Sequence, residues 1–299
     1  ADDTNPISAT QQITGFDYAG LLSSSIIGPT YNGTQNTWVY DVTSGTITIV
    51  ANNQVMTYGG VNPSFTYSFA CSDGCLSSVM TGALVTDAST GGGSGGYNAG
   101  TWSIQQGTLA ANNGYSIDFT PAAFTISPAA LLIAADVGQG KIYGAANPGA
   151  YTYGASGFAN GDTSAVLTGA LTRAVGENVG DYAINQGTLS AGSNYTISYT
   201  GNNFSITPAT LSVTANSGQS KTYGAADSTY TYGYSGLVNG DTATVFTGAL
   251  TRTAGENVGN YAINQGTLSA GGNYTISHTG SNITINPATL TITANAGQS

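Results

Sequence analysis

Charge is what this chain lacks most. Only 6% of its 299 residues are charged, against roughly 25% in ordinary globular proteins. Four basic residues face fourteen acidic ones, for a net charge of −10. No basic stripe can then neutralise phosphates, which excludes nucleic acid as a partner and disfavours anionic membrane surfaces. No run reaches the about eighteen apolar residues of a spanning helix, and no positively charged leader precedes an apolar stretch. A membrane-spanning segment is not expected.

Catalytic groups are equally scarce. The single histidine, His278, lies in "YTISHTG" where an earlier stretch has Tyr199 in "YTISYTG". It reads as an aromatic replacement on a strand, without the nucleophile and orienting acid that a catalytic base needs. The chain is not expected to be an enzyme, and neither cofactor nor metal ligands are assigned. Repeated "NGDT" offers oxygens for calcium, but calcium loops need more acids at fixed spacing, so Asx-turns account for it.

Cysteine is limited to Cys71 and Cys75, in "ACSDGCL". Zinc needs two further ligands, and C-x-x-C redox chemistry needs another spacing. Asp73 and Gly74 supply a turn that can bring the thiols into a local disulfide, which points to an extracellular or periplasmic setting. The near-absence of lysine is typical of such chains.

What the chain does have is repetition. "GENVGDYAINQGTLSAGSNYTIS" from Gly176 returns as "GENVGNYAINQGTLSAGGNYTIS" from Gly255 with two changes. Pro128, Pro208 and Pro287 stand 80 and 79 residues apart, which sets a module of about that length. The expected divisions are residues 1–45, an N-terminal β segment or linker; 46–128, a divergent first module; 129–208 and 209–287, the second and third; and 288–299, the first strand of a further module.

Within a module the hydrophobic period is two. Leu211, Val213 and Ala215 alternate with Thr210, Ser212 and Thr214, as on half-buried strands. Seven short strands are expected in the third module, one of them running from Tyr261 to Leu268. Asp162 and Asp241, in the two "NGDT" stretches, are placed to N-cap a short helical turn. The expected fold class is mostly β, a linear array of small domains, β-grasp-like with that one turn. An Ig-like sandwich is the alternative. "GGGSGG" from Gly91 reads as a flexible loop insertion.

Arg173 with Glu177 and Arg252 with Glu256 recur four residues apart, as structural ion pairs. Lys141 or Lys221, combined with an asparagine and that glutamate, also fits self-formed Lys–Asn isopeptide bonds, which require a buried, desolvated lysine. The first module has Met56 at the lysine's place. "PATLTITANAGQS" from Pro287 repeats "PATLSVTANSGQS" from Pro208 at ten of thirteen positions. Its strand Thr289, Leu290, Thr291, Ile292, Thr293 and Ala294 is a candidate for strand addition to a neighbouring molecule.

The recurring "K-[IT]-Y-G-A-A", "S-G-[FL]-x-N-G-D-T", "T-G-A-L-T-R", "G-E-N-V-G-x-Y" and "P-A-T-L" resemble the MBG-type repeat with the YGX signature, across residues 46 to 299. The first module departs at "CSDGC" and "GGYNAGT". The resemblance implies a secreted adhesin or matrix protein, similar to filamentous haemagglutinins, in which such modules form a stalk or fibre. It supplies no catalytic residues. Expected partners are neighbouring copies or modules of the same protein, and surface glycans or host cells that exposed tyrosines could contact.

Overall fold

The computed structural model describes residues 25–31, 36–41, 45–71, 77–92, 94, 96–112, 114–294 and 297. These group into two compact units: residues 1–131, 157–167 and 191–197 form one, and 132–156, 168–190 and 198–299 the other. Two segments of the second module therefore belong to the same body as the first module. Ahead of the repeats, Ser25–Tyr31 pairs antiparallel with Asn36–Asp41.

The third module shows how the sequence pattern becomes a fold. Ala209–Ala215 buries Ala209, Leu211, Val213 and Ala215 and exposes the residues between, following the pleat. It pairs parallel with Tyr274–Thr279 on one side and antiparallel with Tyr232–Ser235 on the other. The chain then turns at Asn216 to Gly218 and continues as Gln219–Thr222, parallel to Ser281–Asn286. Gly259–Asn264 and Thr251–Arg252 complete this second sheet in antiparallel pairing.

The same parallel pair, bent once, thus runs through both sheets. The bend is tied by Gln219, whose side chain donates to the Asn216 and Thr231 carbonyls at 2.8 and 3.1 Å and accepts from Thr231 N at 2.9 Å. On the partner strand the bend falls at Gly280, where a Cβ would lie 3.0 Å from the Ile263 carbonyl. Between the sheets pack Val213, Ala215, Tyr230, Leu250, Ile263, Leu268 and Ile283, flanked by Tyr232, Phe246, Tyr261 and Ile276. Each large apolar side chain buried there stabilises the module by about 1.5–3 kcal/mol.

The first and last strands lie parallel at the centre, with hairpin partners outside. That is the β-grasp-like order, and a single 3-10 turn, Ala243–Val245, stands between the halves. It rules out the Ig-like alternative, whose two sheets are antiparallel. The two sheet orders recur in the first and second modules.

Two sequence expectations are corrected. The strand expected from Tyr261 to Leu268 ends at Asn264, because Gly266 adopts φ +60 and turns the chain. A Cβ on Gly266 would meet the Ala249 carbonyl at 2.7 Å. Leu268 nonetheless reaches the core, from beyond the turn. The "GGGSGG" stretch carries a short hairpin, Thr90–Gly91 with Gly96–Tyr97, and Ser94 N donates to the Asn160 carbonyl at 2.8 Å, so it is a built contact.

Candidate functional site

The tyrosine of the first "YG" in each module stands at the end of the bent parallel ladder. Its backbone N–H donates to Ser127 O for Tyr58, Thr207 O for Tyr143 and Asn286 O for Tyr223, at 2.8 Å in all three. The side chain is thereby aimed out of its own module. Tyr58 reaches the second module and is only 2% exposed. Its hydroxyl donates to Asp162 Oδ2 at 2.8 Å and accepts from Asn160 Nδ2 at 3.3 Å.

Asp162 Oδ2 also accepts the Tyr195 hydroxyl at 2.8 Å, and that hydroxyl accepts from Ala159 N at 2.9 Å. The two rings meet edge to face, with centroids 5.4 Å apart at 77°, the arrangement that aromatic quadrupoles favour. Beside them, Asn194 accepts from Ala99 N at 2.8 Å and donates to Asn98 Oδ1 at 2.9 Å. Burial and the Asp162 carboxylate push the Tyr195 hydroxyl up to about 12, and burial likewise raises that of Tyr58.

The junction of the second and third modules repeats this set. Tyr143, 4% exposed, donates to Asp241 Oδ2 at 3.0 Å and accepts from Asn239 Nδ2 at 3.1 Å. Tyr274 donates to the same Oδ2 at 2.8 Å, and the Tyr143 and Tyr274 rings lie 5.4 Å apart at 81°. Asn273 accepts from Val179 N at 2.9 Å and donates to Asn178 Oδ1 at 3.0 Å. One carboxylate, two tyrosines and an asparagine pair thus form a latch at each junction.

The backbone is shaped for it. Asn160 and Asn239, at φ 54 and 56, are the non-glycine residues with positive φ among those described, a conformation asparagine tolerates better than most side chains. The glycine after each tyrosine gives room for the next module. A Cβ on Gly59 would lie 2.5 Å from Ala159 Cβ, and one on Gly144 would lie 2.4 Å from Val238 Cγ2.

Asp162 and Asp241 are therefore not the N-caps expected from sequence. Thr163 and Thr242 occupy that position, and Thr163 accepts from Ala165 N at 3.3 Å while Thr242 makes no side-chain cap bond. The carboxylates point instead at the tyrosines.

Each Arg–Glu pair sits within a larger ion network. Lys221 Nζ lies 2.8 Å from Asp227 Oδ1 and 2.6 Å from Glu256 Oε2, and Arg252 binds the other oxygens of both at 2.8 and 2.5 Å. In the second module Lys141 and Arg173 both contact Glu177, and Asn147 stands at the place of Asp227, accepting from Arg173 Nη2 at 3.0 Å. The guanidinium carbons lie 5.1 Å from the Tyr182 centroid and 5.2 Å from that of Tyr261, within cation–π range.

Hydrogen bonds from Arg252 and Lys221 hold Asp227 down at about 2, and bonds to Asp227 and Glu256 raise Lys221. The lysine ammoniums are covered, at 5–6% side-chain exposure. Lys221 is held in its charged form, which opposes the neutral amine that isopeptide formation needs.

Cys71 is disulfide-bonded, and Cys75 lies outside the described residues. Thr289, Leu290, Thr291, Ile292, Thr293 and Ala294 form no strand. Leu290 and Ile292 are 83% and 85% exposed, whereas Leu211 and Val213, at the same places one repeat earlier, are fully buried. His278 Nε2 is buried without a hydrogen-bond partner. No helix among the described residues is long and apolar enough to cross a membrane.

The tyrosine, Asn-Gly-Asp and Asn-Tyr elements of the latch were visible in sequence only as repeated landmarks. Their joint recurrence in every second-module and third-module copy was the available signal. Comparison with curated proteins and with solved structures gives no match. The family described as MBG domain (YGX type) matches three times, at residues 47–125, 131–205 and 211–284, and each latch joins one matched stretch to the next. The chain belongs to the MBG domain family of the YGX type, as three tandem copies.

Proposed function

We propose that this chain is a structural segment of a secreted bacterial adhesin or extracellular filament, whose modules act as a stalk or fibre. Tandem MBG repeats are typical of extracellular or surface proteins. The observation that carries the reading is the repetition of one latch at both junctions, with the same residue types and nearly the same distances. A module whose repeated chemistry is spent on holding the next module suits spacing and load rather than turnover. The charge-poor surface, dressed with hydroxyls and amides, agrees with that role.

Electron microscopy of the purified chain tests the proposal. If three modules of roughly 30 Å follow one another, single rods of about 90 Å are expected. Compact single particles would overturn the stalk reading. Filaments lost on deletion of residues 287–299 would assign self-association to the strand Thr289 to Ala294; filaments that persist would count against it.

A further inference from the structure

The third module presents the receiving half of a latch as an exposed surface among the described residues. Tyr223 is held by the same 2.8 Å backbone bond to Asn286 O as its two counterparts, yet it is 52% exposed where Tyr58 and Tyr143 are 2% and 4%. Gly224 keeps the positive φ of Gly59 and Gly144, at +82, but a Cβ there would meet nothing within 4 Å among the described residues. Val258, the counterpart of Val179, is 53% exposed beside Asn257, the counterpart of Asn178. A hydrophobic ring, a glycine shelf and an asparagine amide are thus set out in the order that the two occupied junctions use.

The geometry points to one occupant: a further module of this family, carrying an Asn-Gly-Asp turn and an Asn-Tyr pair in the register of Asn239 to Asp241 and Asn273 to Tyr274. Such a module would seat its aspartate on the Tyr223 hydroxyl, the residue before its Asn-Gly-Asp on Gly224, and its second asparagine on Val258 N and Asn257. The first module of a second copy fits poorly, because Gly114 stands where Asn194 and Asn273 supply the amide and "CSDGC" replaces the Asn-Gly-Asp turn. The Asn-Gly-Asp turns of the second and third modules are already engaged. The segment Pro287 to Ala294 repeats the route by which the chain passes from Pro208 into the third module, so Leu290 and Ile292 would be buried by the same partner.

The test continues the repeat. A copy of residues 221–299, with its own counterpart of Tyr223 replaced by Phe so that the two peptides differ in mass, is joined after Ser299, giving the 299-residue chain a complete fourth module, and tyrosine nitration by tetranitromethane is mapped by mass spectrometry in both proteins. In the 299-residue chain Tyr223 should nitrate fast and Tyr58 and Tyr143 slowly. In the extended chain Tyr223 should fall to the slow rate of Tyr143, and alanine at the added copy of Asp241 should restore its reactivity. Equal Tyr223 nitration in the two proteins would overturn the inference. So would an added module that fails to fold, shown by unchanged circular dichroism amplitude, because the same sequence folds behind the second module. Protection of Tyr223 in the 299-residue chain as its concentration rises would make a second copy the occupant and equally overturn it.

Discussion

Tyr143 donates to Asp241 across a module boundary at 3.0 Å, and the Asp241 oxygen that accepts it also accepts Tyr274 from within its own module. A single carboxylate therefore ties the fold of one module to its docking on the previous one. Replacing Asp241 by Ala leaves the covered Tyr143 hydroxyl without its acceptor and Tyr274 with only the Val238 carbonyl at 3.2 Å, which costs about 1–3 kcal/mol. Tyr143→Phe removes one of the same bonds and should cost about 1 kcal/mol. In a double-mutant cycle by urea denaturation the two should be strongly non-additive, as for residues in one network. Tyr223→Phe, on an exposed ring, should stay within about 0.5 kcal/mol of the parent.

The glycines beside these tyrosines separate backbone strain from docking. Gly144 and Gly224 have φ of +78 and +82, so Ala at either position meets the same left-handed penalty of about 1–2 kcal/mol. At Gly144 the new Cβ must also displace Val238, which lies 2.4 Å away. Gly144→Ala should therefore be the more damaging by about 1–3 kcal/mol, the usual cost of overpacking. Equal midpoints for the two variants would remove docking from the account of the repeated glycine.

Alkaline pH should open the first junction. Tyr195 holds its proton up to about 12 in the fold, against about 10 in an unfolded chain. Between those values the unfolded state binds fewer protons than the folded state, so stability present below about pH 10 is lost as pH rises toward 12. Absorbance at 295 nm should show a late-titrating tyrosine, and urea midpoints should drop from pH 9 to pH 11. Asp162→Asn removes the neighbouring negative charge and should bring that titration earlier.

Acid acts on the ion network. Asp227 is held at about 2 in the fold, below its ordinary 3.8, by Arg252 and Lys221. Its contribution is complete above about pH 4 and is lost as pH falls toward 2. Asp227→Asn should flatten the acid limb of the third module's unfolding curve. It recreates the second module's arrangement, where Asn147 takes that place and Arg173 Nε is buried without a partner. Asn147→Asp should add the same acid dependence to the second module; a flat response in both variants would show the network to be energetically silent.

The sequence made the modules and their strands legible because burial follows a period of two: Leu211 and Val213 face the core, and Ser212 and Thr214 face out. The β-grasp-like order was harder to separate from a sandwich, since it depends on the parallel pairing of Ala209–Ala215 with Tyr274–Thr279, 65 residues apart. The latch was hidden by the repetition itself. Tyr143 and Tyr223 are both followed by Gly-Ala-Ala, so a contact across a boundary and one inside a module give the same period. Asp241 beside Thr242 looks like a cap until two tyrosine hydroxyls claim its carboxylate. Lys221, Arg252 and Glu256 each recur one module earlier, whereas Asp227, before Ser228, is replaced by Asn147 before Pro148, so no repeated signal marks it.

His278 offers a prediction that depends on comparing two modules. At its place in the second module, the Tyr199 hydroxyl reaches the other sheet and donates to Ile184 O at 2.9 Å. Ile263 is the counterpart of Ile184, and its carbonyl lies near Gly280 just as that of Ile184 lies near Gly201. His278 leaves its Nε2 buried and unpaired there, and an unsatisfied polar atom in that position is a cost that tyrosine would remove. His278→Tyr should therefore stabilise the third module by about 1 kcal/mol, raising its urea midpoint with no change in slope. Tyr199→His should lower that of the second module by a similar amount. If the two exchanges shift stability in the same direction, the sheet position is not equivalent in the two modules, and the cross-sheet hydroxyl bond is not what distinguishes them.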